Sequence, residues 1–74
     1  MNTLKKADKV QIIESRIRAV ESKKYSLEID LMVESNRNEP LEEALANINS
    51  GITECNNQLA VLNQELDQVN QLEE

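Results

Sequence analysis

The chain has no histidine, tryptophan or phenylalanine, and its 74 residues include one cysteine, one glycine, one proline and one tyrosine. Each shortage excludes a class of protein. Cys55 is the sole thiol, so no disulfide can close within the chain. With no histidine and no second cysteine, the usual soft-metal ligand sets are missing, and neither a metal nor another cofactor is expected. A globular core normally draws bulk from aromatic rings. A coiled coil does not, because Leu, Ile and Val at two of every seven positions suffice. No apolar run approaches the roughly 20 residues that cross a bilayer. The first residues show no apolar segment of the signal-peptide kind, so the cytoplasm is the expected location and no membrane partner is expected.

Base is scarce as well, and unevenly placed. All eight Lys and Arg fall in residues 1–37 beside six acids, a net of +2, whereas residues 38–74 hold eight acids and no base, a net of −8. A pI near 4.6 has the wrong sign for binding nucleic acid. An antiparallel hairpin is the simplest use for such asymmetry, since it lays the acidic end beside the basic one. Lys5, Lys6 and Lys9 would then lie near Glu65, Asp67, Glu73 and Glu74. Exposed pairs contribute only about 0–1 kcal/mol each, so they select orientation more than they stabilise.

What the chain does have is a heptad repeat. From Leu45 it reads LANINSG, ITECNNQ, LAVLNQE, LDQVNQL. Position a is Leu45, Ile52, Leu59 and Leu66; position d is Leu41, Ile48, Cys55, Leu62 and Val69. Apolar residues at alternating steps of three and four form one stripe on a helix with a left-handed supercoil. The first half repeats less cleanly from Val10. Its a positions are Val10, Ile17, Lys24 and Leu31, and its d positions are Ile13, Val20 and Leu27, after which the stripe decays at Glu34.

The two runs are divided by Ser35-Asn36-Arg37-Asn38-Glu39-Pro40. Proline suits a first helical turn and breaks a helix interior. The expectation is helix one over about 4–35, a turn at 36–39 and helix two over about 40–72. Asn38 or Glu39 would cap helix two, Asn36 or Asn38 would end helix one in the left-handed conformation, and Asp8 with Gln11 resembles a capping box. Equal lengths and a short connection predict antiparallel neighbours, so the fold class is all-α, a single two-helix hairpin over residues 1–74.

Two helices hide one stripe each. Ile12, Ala19, Tyr25, Ile29, Met32 and Val33 lie off the first stripe, and Ala44, Ala46, Ala60, Val61 and Leu72 off the second. So wide an apolar face is the pattern of a bundle, and it predicts self-association of two or three hairpins into four or six helices. Helix one also has Lys9, Arg16 and Lys23 at g and Glu14, Glu21 and Glu28 at e. Copies of that helix meeting in parallel would set each g cation against an e acid.

Several single residues invite functional readings. Lys24, at a, reads as a register-setting residue whose stem packs while its ammonium reaches water. Cys55, at d, lacks the neighbouring cation a reactive thiolate needs, and reads as a small core residue that two copies of the chain could bring together for oxidation to a disulfide. Gly51 reads as room for the ring of Tyr25. Asn49, Asn56, Asn63 and Asn70 form a column at e, read either as amide donors to the glutamates of helix one or as an interface ladder. The acids Glu42–Glu43, Glu65–Asp67 and Glu73–Glu74 read as a solvated face, because acid–base work needs carboxylates in unlike environments across a cleft.

Two resemblances complete the reading. Residues 63–67, Asn-Gln-Glu-Leu-Asp, resemble the Ser-Gln-Glu-Leu-Asp signature of small sporulation-regulating aspartyl-phosphate phosphatases, which are also acidic helical hairpins; Asn63 replaces the serine, and residues 35–40 do not match their turn. Residues 6–15 and 25–31 resemble small reading frames of marine cyanophages. That likeness implies a phage accessory or assembly protein in the host cytoplasm and transfers no functional residue. The expected function is a non-enzymatic helical oligomerisation module. The alternatives are an acidic inhibitor of a host protein and a phosphatase-like regulator using Gln64 and Asp67.

Overall fold

The computed structural model describes residues 3–73. Two helices, α1 (Lys6–Ser35) and α2 (Glu42–Asn70), pack against each other as an antiparallel hairpin. At 1.5 Å per residue each helix is about 45 Å long. The rod measures 57 × 19 × 14 Å.

The seam follows the heptads. Ile13, Cys55 and Val69 are buried. Val10, Ile17, Val20, Lys24, Leu27 and Leu31 of α1 are half-buried, as are Leu45, Ile48, Ile52, Leu59, Leu62 and Leu66 of α2. The register is fixed at two places. A Cβ added to Gly51 would lie 3.0 Å from Leu27 Cδ1, so these two residues face each other across the seam. Near the open end, Lys6 Nζ donates to the carbonyl oxygens of Asn70 at 2.8 Å and Leu72 at 3.2 Å. Gly51 therefore makes room for Leu27 and not for Tyr25, whose ring is 65% exposed. Tyr25 sits at b, a quarter-turn away from the contact stripe.

The helix ends differ from the expected ones. α1 starts at Lys6 with Lys5 as its N-cap, and the Asp8 carboxylate accepts the Lys5 backbone N–H at 3.4 Å. Asp8 thus closes the first turn from inside and starts no box with Gln11. At the other end Asn36 has φ −98° and ψ 6°, and among the described residues none takes positive φ. The left-handed stop is replaced by the Asn36 amide, which donates to the Met32 carbonyl at 2.7 Å. α2 begins two residues later than expected, after an extended Pro40 and an N-cap at Leu41. Leu41 was placed in the seam by its heptad spacing. It is 57% exposed, because its backbone (φ −87°, ψ 118°) has not yet entered the helix that carries the stripe.

Glu34 holds the turn. Its side chain, 12% exposed, occupies the last d position of α1. One carboxylate oxygen accepts the Leu41 N–H at 3.1 Å, and the other pairs with Arg37 at 3.3 Å. The stripe does not decay here; it ends in an anion that satisfies a backbone donor freed at the start of α2.

Two outcomes follow. Glu34→Ala should cost about 1–2 kcal/mol, read from the urea midpoint of the circular dichroism signal, with Glu34→Gln losing less because it keeps an acceptor oxygen. Gly51→Ala should raise stability by about 0.5 kcal/mol, as the helix-propensity gain outweighs a shift of a few tenths of an ångström in the Leu27 methyl, whereas Gly51→Leu should lower it.

Candidate functional site

A heptad helix presents four positions outside its seam, and the hairpin sorts them onto two edges. Antiparallel packing places g beside g and e beside e. Both edges are largely open. Glu14, Glu21, Glu28 and the column Asn49, Asn56, Asn63, Asn70, all at e, are exposed, as are Arg16, Lys23, Asp30, Gln58 and Glu65 at g, while Lys9, Ala44 and Gly51 at g are half-buried.

Among the described residues no hydrogen bond joins the amides of the asparagine column to the glutamates of α1, and the column lies open to solvent. The Asn70 backbone is engaged, through the Lys6 contact, but its side chain is on the surface.

The basic start of α1 lies beside the acidic end of α2. Lys6 meets backbone carbonyls at the C-terminal end of α2, where the helix dipole is negative. Lys5 and Lys9 form no ion pair with a described acid of α2, and Glu74 lies outside the described residues. Among the described residues no ion pair joins the helices; Arg37–Glu34 lies within the turn. Lys9, Arg16 and Lys23 run along one edge, and Glu14, Glu21 and Glu28 along the other. Since α2 occupies the seam of α1, a parallel coiled coil between two copies of α1 would require the hairpin to open.

The g edge carries a shallow apolar groove. It is lined by Ala19, Val20, Val61 and Leu62, with Arg16 on the α1 wall and Glu54, Asn57 and Gln58 on the α2 wall. Val61, at c, is 65% exposed. Periodicity identifies Ala19 and Val61 as off-stripe residues. That they share one groove follows only from the antiparallel register.

Chemistry-bearing groups do not converge. Among the described residues no group of three His, Cys, Asp or Glu is placed to hold a metal ion. Glu42 and Glu43 lie in the first turn of α2, where the positive dipole end favours acids. Gln64 and Asp67 are exposed near the other end of that helix. Cys55 is 1% exposed, shielded by α1. A disulfide between copies is therefore not reachable from the closed hairpin. Its thiol should react with Ellman's reagent at a rate set by opening, rising steeply across the urea range in which the helices melt and matching a free-cysteine control only once they have melted.

Neither described helix is long and apolar enough to cross a membrane. The chain matches no protein-family model, no curated protein and no solved structure.

Proposed function

We propose that the chain is a non-enzymatic helical module that self-associates, two or three hairpins forming a bundle of four or six helices, and serves assembly or interaction instead of catalysis. One observation carries this reading. Leu4, Ile12, Tyr25, Ile29, Met32, Val33, Leu41, Val61 and Leu72 are 41–65% exposed, while three apolar residues are buried. A hairpin of this length cannot roll to hide them, because its single seam is already filled. A second copy supplies the missing apolar surface without any new sequence. The likeness to cyanophage reading frames fits an accessory or assembly role of this kind.

The non-enzymatic half of the reading rests on where the candidate acids stand. The candidate acids stand on a convex surface, where water equalises their environments and leaves no pair of unlike carboxylates. Acidic α2, with five acids and no base over Glu42–Asn70, would offer its outer face to a basic host protein if the chain stayed single.

Mass action distinguishes the two. The melting temperature should rise by several degrees between 5 and 500 μM chain, roughly as expected for a dimer or trimer coupled to folding, and light scattering should give a multiple of 8.4 kDa. Leu59→Asp should abolish both the cooperative melt and the assembly, because a charge in the seam cannot be solvated. A concentration-independent melt at the single-chain mass would remove self-association.

A further inference from the structure

We propose that the groove on the Arg16–Glu54 edge is the docking face for a second copy of the chain, the two copies lying parallel around a two-fold axis along the rods, with α1 of each beside α2 of the other. This rests on the self-association reading above and gives it a face and a direction.

Leu27 lies against Gly51, and Lys6 against Leu72. Counting inward from these contacts sets Glu54 level with Lys24 and Glu65 level with Ile13. The two walls of the groove therefore differ in sign. Arg16 lines the groove on α1 and Glu54 on α2; farther along the same edge α1 adds the exposed Lys23 and α2 the exposed Glu65, and α2 carries no base. Asp30 breaks the α1 series toward the turn, but the level it occupies on α2 is uncharged. Between the walls lie the exposed Val61 and Ala19. These charges are unused inside the chain, since among the described residues no ion pair joins the helices.

A symmetric pair must match the face to itself. A two-fold axis running across the rods lays α1 on the partner's α1, so that cation meets cation. An axis running along the rods lays α1 on the partner's α2. Lys23 then falls one residue's rise, about 1.5 Å, from the level of the partner's Glu54. Arg16 falls three residues' rise, about 4.5 Å, from the partner's Glu65, within the span of its side chain. Both crossings occur twice, and Val61 and Ala19 are covered between them. The opposite edge is weaker in such alternation: it sets Glu14, Glu21 and Glu28 with the lone base Arg18 on α1 across from the asparagine column, Glu42 and Asp67 on α2.

Sedimentation equilibrium on the full chain tests this. Lys23→Glu and Glu54→Lys should each weaken association roughly tenfold, since two attractive pairs per dimer become repulsive. All of these residues are exposed, so helicity should persist in each variant. The combined variant should return to within about threefold of the original constant, because opposite signs again face each other. A combined variant no tighter than either single one overturns the pairing. Direction is read with a spin label on Asn38→Cys in a Cys55→Ala background. Parallel copies bring both turns to one end, with label separations under about 30 Å, whereas antiparallel copies set them roughly 50 Å apart. A separation near the larger value, or a mass of three chains, overturns the two-fold arrangement while leaving self-association standing. A chain that remains single at millimolar concentration overturns both.

Discussion

The interlocking of a and d side chains between α1 and α2 is the contact on which everything else hangs. It uses no aromatic bulk, and its best-buried member, Cys55, is one of the smallest side chains in it. At the edge of the seam Gly51, which lacks a side chain, leaves the space that the Leu27 methyls occupy. The two ends are held by polar contacts of unlike kind. At the turn the Glu34 carboxylate takes a backbone N–H of the incoming helix; at the open end the Lys6 ammonium takes backbone carbonyls of the outgoing one. Each places a charge where a helix terminus has unsatisfied groups of the opposite polarity.

A seam one stripe wide sets a limit. Most residues in it are only half-buried, because a second helix covers little more than a third of the circumference of the first. Small chains bury too little surface to be stable by burial alone. Ala44 and Gly51 are half-buried, whereas Tyr25, Met32 and the asparagine column stay exposed. The two edges of the rod become chemically distinct, one a mixed-charge groove with an apolar floor, the other a rim of glutamates and amides.

Much of this architecture was legible in the sequence because heptad spacing and a helix breaker are local signals. Leu45, Ile52, Leu59 and Leu66 announce one stripe, Val10, Ile17 and Leu31 the other, and Pro40 the reversal. What was not legible depends on geometry that spacing does not encode. Leu41 keeps the heptad rhythm yet stands outside the helix, since the rhythm cannot say where helical backbone begins. Asn36 ends α1 through its side-chain amide, a choice open to any asparagine whose backbone stays on the right-handed side. The Lys6 and Glu34 contacts reach backbone groups far along the chain or across a turn, and charge counting sees only side chains. The exposure of the asparagine column depends on how closely the facing helix approaches each e position, which heptad spacing does not set.

The segregation of charge has one more result. Over Lys6–Ser35, α1 carries six acids and six bases, whereas α2 over Glu42–Asn70 carries five acids and no base. The helix dipoles of antiparallel neighbours oppose and largely cancel. What survives is an electric moment pointing across the rod, from one flank to the other, instead of from tip to tip. Molecules with such a moment orient flank to flank as they approach within a Debye length, about 8 Å at physiological salt. The fold thus biases encounters toward compact, laterally packed clusters and away from end-to-end filaments.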